Sequence, residues 1–171
     1  MRPILGIDPG SKGFLTILDE DGSMGHYAIA DGDMLDLANH IKDLAATHSG
    51  LHAVMEEVHA VFGSAAKATF AFGEVNGFIK GMLTALGIPY VLVQPKEWQK
   101  EVWINQDMVY DTKEGKDGKP RRVANTKQTS YNAARRLFPS VDFRKSERCK
   151  NWDDNKVDSL LIAEYGRRRN L

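Results

Sequence analysis

The stretch Ile4-Leu5-Gly6-Ile7-Asp8-Pro9-Gly10-Ser11 constrains the fold of this chain more than any other. A short apolar run reads as a buried strand, and it ends in one acidic side chain and a Pro-Gly turn signal. A carboxylate at the C-terminal lip of such a strand packs poorly. The strand nonetheless holds it rigidly at a sheet edge, where it can reach a metal or a phosphate. An Asp in that position can also do no more than shape the turn. The pattern recurs twice along the chain, and the recurrence favours chemistry.

The rest of the chain reads as alternating strands and helices. Residues 2–8 and 13–19 are expected as strands, and the turn Glu20-Asp21-Gly22-Ser23 leads into a third strand over 24–30. Apolar residues at 34, 35, 37, 38, 41, 44 and 45 give a helical period over 33–47, stopped by Ser49-Gly50. A fourth strand over 51–56 arrives after that helix and is expected parallel to the first. A long helix over 64–86 ends at Gly87-Ile88-Pro89, and 90–93 is a short fifth strand. A short helix over 96–102 follows Pro95. Residues 104–125 lack periodicity and read as an exposed basic loop or flexible hairpin, of a length that is usually functional or disordered. Two helices close the chain, over 126–138 with Thr126 as N-cap and from 152 or 153 to 168. The order βββαβαβαα implies an α/β fold, a five-stranded mixed sheet flanked by helices, in one domain spanning 1–171.

Composition narrows the class. The chain is 42% hydrophobic and 27% charged, which is ordinary for a globular domain. One cysteine, Cys149, excludes an internal disulfide and a Cys-based zinc cage. No apolar run approaches the roughly 18 residues of a membrane span, and Asp8 and Pro9 interrupt any leader-like pattern. A cytoplasmic protein without a membrane partner is expected. The net charge of zero hides an asymmetry: residues 1–95 hold 5 Lys and Arg against 11 acids, and residues 96–171 hold 18 against 12. The basic clusters of the second half can neutralise phosphates or simply solvate a surface.

The acids recur at the lips of buried elements. Ala53-Val54-Met55-Glu56-Glu57 ends a second apolar strand in carboxylates. Glu56 and Glu57 point to opposite faces, so only one can join Asp8. In Asp153-Asp154-Asn155-Lys156-Val157-Asp158, Asp154 and Asp158 are four apart and share a helix face. Like charges at that spacing repel, and a divalent cation offsets the repulsion. Three segments thus offer Asp8, Glu56 and the Asp154/Asp158 pair. Oxygen-only ligands suit two Mg²⁺ ions, with Mn²⁺ as substitute, and the two-metal cleavage of a phosphodiester.

These residues resemble the RuvC-like Holliday junction resolvases of the ribonuclease-H-like superfamily, in particular the bacteriophage-type members. The resemblance is carried by Ile7-Asp8-Pro9-Gly10-Ser11, Glu56-Glu57-Val58, Lys127 and the run Asp154 to Ala163. It implies a ribonuclease-H-like fold and a homodimeric, metal-dependent endonuclease that nicks four-way DNA junctions in pairs, with no nucleotide cofactor. It also implies that Glu56 is the second catalytic acid and that Lys127 serves catalysis or holds the scissile phosphate. Cellular members carry an aromatic wedge three residues after the strand-end Glu, where this chain has His59, with Phe62 nearby. They space the last two acids by three, where this chain has Asn155, so Asp154 takes the role at a spacing of four. Asp153 is the weaker candidate, about 140° round the helix from Asp158.

Lys100, Arg121, Arg122 and Lys127 are candidate phosphate contacts, and His59 a candidate DNA contact. Thr69, Gly73, Gly77 and Gly81 recur every four residues along the long helix. Such a stripe admits a close neighbour, either the protein's own sheet or a second subunit. Three other readings stand beside the resolvase: a ribonuclease-H-like nuclease for another structured substrate, a non-catalytic branched-DNA-binding module, and a phosphate-transferring ATPase or sugar kinase. The last needs two lobes around a nucleotide, and 171 residues provide about one.

Overall fold

The structure is a computed structural model that describes residues 2–57, 66–115 and 118–171. Strand β1 (Ile4–Asp8) pairs antiparallel with β2 (Phe14–Leu18), and β2 with β3 (Met24–Ala28). Helix α1 (Met34–Thr47) leads to β4 (His52–Glu56), which runs parallel to β1. Helix α2 (Ala66–Ala85) leads to β5 (Tyr90–Val93), parallel to β4. The sheet order is β3-β2-β1-β4-β5, with β1 in the centre. Helix α3 (Pro95–Val102), the separate hairpin β6 (Tyr110–Glu114) and β7 (Pro120–Ala124), and helices α4 (Thr126–Leu137) and α5 (Asp154–Arg168) complete the chain. The fold is therefore α/β, with a five-stranded mixed sheet flanked by helices. The segment expected as a loop or hairpin contains a regular two-stranded ribbon, which together with α3 extends the expected order.

Strand alternation sorts the core into two layers. Leu5, Ile7, Leu15, Ile17, Ala53 and Met55 pack on the face covered by α1 and α2. Ile4, Leu18 and Val54 pack on the other, against Val157 and the buried run Leu160 to Ala163 of α5. Helix α5 is buried nearly all round from Val157 to Gly166 because the sheet lies beneath it and α3 and α4 lie beside it.

Local chemistry starts the helices. Asp33 caps α1 in a reciprocal box with Asp36. The cap of α4 is Asn125, whose Oδ1 accepts from the Gln128 N–H at 3.0 Å; Thr126, expected as the cap, is the first helical residue instead. Two cap-forming residues in succession make that boundary ambiguous by one residue, and the amide is the one that reaches the free N–H.

The glycine stripe of α2 does not pack on the sheet. The buried face of that helix is Val75, Ile79 and Leu83, and a Cβ built on Gly73, Gly77 or Gly81 meets none of the described residues within 4 Å. The core reading of the stripe is thereby corrected. Among the described residues no helix is long and apolar enough to cross a membrane.

Candidate active site

Parity along the strands fixes where the acids point. Ile4 and Val54 face α5, so Gly6 and Asp8 on β1, and Glu56 on β4, share that face. Glu57 takes the opposite side. The parallel register sets Ile7 beside Met55, so the next residues, Asp8 and Glu56, end adjacent strands at one sheet edge.

Gly6 brings the third segment in. A Cβ on Gly6 would stand 2.1 Å from the Ser159 carbonyl oxygen and 2.4 Å from the Ala163 nitrogen. Only glycine lets the backbone of α5 press this closely on β1. Gly166 does the same further along, where a Cβ would meet Val54 and Ile4 methyls at 2.7 and 2.8 Å. The Thr16 hydroxyl reaches the Ser159 hydroxyl at 2.6 Å and His26 Nδ1 at 2.8 Å, pinning α5 across the sheet. Asp158, the residue before Ser159, is thus delivered over the edge that carries Asp8 and Glu56.

The electrostatics record this convergence. Withdrawal from water pushes the Asp8 carboxyl well above its ordinary range, and Asp158, Glu56, Asp154 and Asp153 push it further. Burial raises Asp158 to about 7; a hydrogen bond with Ser130 opposes that rise, Glu56 and Asp154 add to it, and Lys127 draws it back. Burial raises Glu56, against the Trp98 indole, whose Nε1–H donates to Oε1 at 2.9 Å. The ammonium of Lys127 pairs with Asp154 Oδ2, which raises the lysine. Asp153 is spent on structure: its Oδ1 accepts from the N–H groups of Asn155 and Lys156 at the start of α5. That separates it from Asp154, which is free to face Lys127.

These groups fit a hard divalent cation. Every donor is a carboxylate oxygen, and burying like charges together is costly unless protons or a cation balance them. Oδ1 of Asp158 is buried and has no hydrogen-bond partner among the described residues. Among the described residues, no three acidic, His or Cys side chains already form a cage drawn tightly enough to hold an ion.

The other sequence candidates lie elsewhere. Lys100 is exposed on α3, in a cleft with Glu97, Glu101, Tyr165 and Arg169. Tyr165 is about two helical turns along α5 from Asp158, so Lys100 stands apart from the acids. Arg121 and Arg122 are on the hairpin, with the Arg122 guanidinium carbon 3.7 Å from the Tyr110 ring centroid. His59 and Phe62 lie outside the described residues. Trp98 and Ser130 were not among the sequence candidates. A buried indole usually finds an acceptor for its N–H, which was a usable signal for Trp98. Ser130 lies three residues after Lys127 on α4, hence on the same helix face.

No protein-family profile matches the chain, and no curated protein matches it in sequence. Solved structures do match in shape. RuvC of T. thermophilus in complex with a Holliday junction substrate superposes with a TM-score of 0.54 at 12% identity, covering 99% of this chain and 96% of that one. The yeast mitochondrial Holliday junction resolvase Ydc2 gives a TM-score of 0.53 at 16% identity, covering 95% of this chain and 76% of that one. The chain therefore shares the fold of these two structures, the ribonuclease-H-like one.

Proposed function

We propose that this protein is a metal-dependent, structure-selective endodeoxyribonuclease that resolves four-way and other branched DNA by paired nicks. The observation that carries the reading is the convergence of Asp8, Glu56, Asp154 and Asp158, from three distant segments, on one edge of the sheet. The raised proton affinity of Asp8, Glu56 and Asp158 is the behaviour of carboxylates that await a cation. The shared fold with a RuvC bound to a Holliday junction supports branched DNA as the substrate class.

In this reading Asp8, Glu56, Asp154 and Asp158 hold two Mg²⁺ ions, with Mn²⁺ as substitute. Such ions supply charge stabilisation to a phosphodiester undergoing hydrolysis. Asp8 and Glu56 stand on adjacent strands of a rigid sheet, and Trp98 fixes the orientation of Glu56. Lys127 balances Asp154 and presents a cation at the lip where a phosphate would arrive. A four-way junction offers two equivalent strands, so two copies of the chain suit paired cutting. The open glycine stripe of α2, beside the exposed Phe70, supports a second copy there.

The test is incubation of the purified protein with four-way, three-way and linear duplex DNA, with Mg²⁺ or with chelator. The expected result is paired nicks in the branched substrates, with 5′-phosphate and 3′-hydroxyl ends, only when Mg²⁺ is present. Binding of the junction without cleavage in Mg²⁺ or Mn²⁺ would turn the reading into that of a binding module. Cleavage of linear duplex alone would reject the branched substrate.

A further inference from the structure

The hairpin β6–β7 shares no strand with the main sheet, and both of its strands are exposed except at Ala124. A two-stranded ribbon is marginal by itself in water, so its support lies at its root. There the Asn125 N–H donates to the Val109 carbonyl at 2.8 Å, and the Asn125 amide to Asp111 Oδ2 at 3.0 Å. The Val109 N–H donates to Thr129 Oγ1 on α4 at 3.1 Å. Just before the root, the buried carboxylate of Asp107 takes hydrogen bonds of 3.0 and 2.8 Å from the Arg136 guanidinium, also on α4. The ribbon is bolted to α4, and the second residue of α4 is Lys127, the partner of Asp154. An exposed arm and the acidic cluster therefore share one rigid support.

The arm is built for an anion. Its described cations are Lys113, Lys119, Arg121 and Arg122; its described acids are Asp111, engaged at the root, and Glu114. Lys113 sits directly opposite Arg121 in the ladder, so two cations stand side by side on the ribbon. Arg122 lies over the Tyr110 ring, which orders a guanidinium for phosphate contact. Five residues per strand reach about 17 Å, which matches about five phosphates along one DNA strand.

We propose that this hairpin is an arm that lies along one duplex arm of the branched substrate and extends the grip of the nuclease away from the cut. The inference rests on the nuclease reading. Two variants test it. In one, Asn-Gly replaces residues 113–121, closing Thr112 onto Arg122, which already face each other across the ladder. In the other, Lys113→Gln and Arg122→Gln remove charge alone. Binding to a four-way junction is followed by fluorescence anisotropy in Ca²⁺ over roughly 50–200 mM salt, with hydroxyl-radical footprinting of the arms.

Both variants are expected to bind at least about ten-fold more weakly at low salt, with a dependence on log salt shallower by about two in the charge variant and by up to about four in the shortened arm. The shortened arm should also lose about five nucleotides of protection on one duplex arm. Affinity, salt dependence and footprint equal to wild type in the charge variant would overturn the proposal while leaving the nuclease reading intact, and so decides the matter even where the shortened chain fails to fold. A wild-type protein that binds no branched DNA would overturn both.

Discussion

The indole Nε1–H of Trp98 donates a 2.9 Å hydrogen bond to Oε1 of Glu56, a contact between residues 42 apart in sequence. Trp98 is fully buried. It is therefore held by packing on every side and cannot follow Glu56 if the carboxylate turns. Trp98→Phe keeps most of the ring and deletes the donor. The expected result is a loss of about 1–2 kcal/mol of stability and about ten-fold weaker binding of Ca²⁺ or Mn²⁺ by calorimetry. Unchanged ion binding would mean that the indole only fills space.

The acid cluster also sets a pH dependence. Asp158 is raised to about 7 and Asp8 is raised too, so between about pH 4 and 7 the folded state binds more protons than the unfolded one. Stability of the metal-free protein from this source falls as pH rises through that window. His26 works the other way: burial and Lys156 hold it down to about 4, so its contribution falls as pH drops below about 6.5. In chelator, the melting temperature is expected to fall from pH 5 to pH 8, and millimolar Mg²⁺ or Ca²⁺ should restore it. In Asp158→Asn the fall should shrink or reverse, because the His26 contribution is then less opposed. A wild-type melting temperature that rises steadily to pH 8 in chelator would remove the buried acids from the account.

Much of this site was legible before the fold. Alternation puts Glu56 and Glu57 on opposite faces and the family resemblance picks Glu56, while helical spacing separates Asp154 from Asp153; the capping role of Asp153 then gives that second choice its physical reason. The pairing of β1 with β4 followed from an intervening helix. What sequence could not supply were contacts made by residues far apart in the chain. The role of Gly6 depends on Ser159 and Ala163, more than 150 residues away. The glycines of α2 look alike in sequence whether they face a sheet or solvent, and only the direction of Val75, Ile79 and Leu83 decides. The hairpin was obscure because its strands are polar on both faces and carry no alternation to read.

Asp8→Asn tests the cluster directly. The amide nearly preserves the volume and removes the charge that the other carboxylates most strongly oppose. Nicking is expected to fall by more than about a hundred-fold, on the order of 3 kcal/mol in the barrier, while junction binding in Ca²⁺ persists. Cutting at the wild-type rate would exclude Asp8 from the chemistry.

Gly6→Ala should be among the most damaging small substitutions available. The added methyl meets the α5 backbone at Ser159 and Ala163 and the Cβ of Ala163, with no flexible side chain to give way. Overpacking of this kind costs typically 1–3 kcal/mol, and more where backbone must shift. Any protein that folds should have α5 lifted from β1, and with it Asp158 from Asp8. The expected signature is a lowered melting temperature together with an Asp158 that titrates closer to an ordinary carboxyl, read by NMR.

Gly77 gives the opposite expectation, because its surroundings are open. In an exposed helix interior, Gly→Ala reduces the freedom of the unfolded chain and stabilises by roughly 0.5–1 kcal/mol. Gly77→Ala is therefore expected to raise the melting temperature of the isolated subunit. If a second copy packs on the stripe, Gly77→Leu should hold the helices apart and shift the protein to monomer by sedimentation, with the fold intact by circular dichroism. A dimer that survives Gly77→Leu and Gly73→Leu together would mean that two copies, if they pair, do so through another surface. The glycines would then need an explanation other than helix contact, since each costs the helix about 1 kcal/mol relative to alanine.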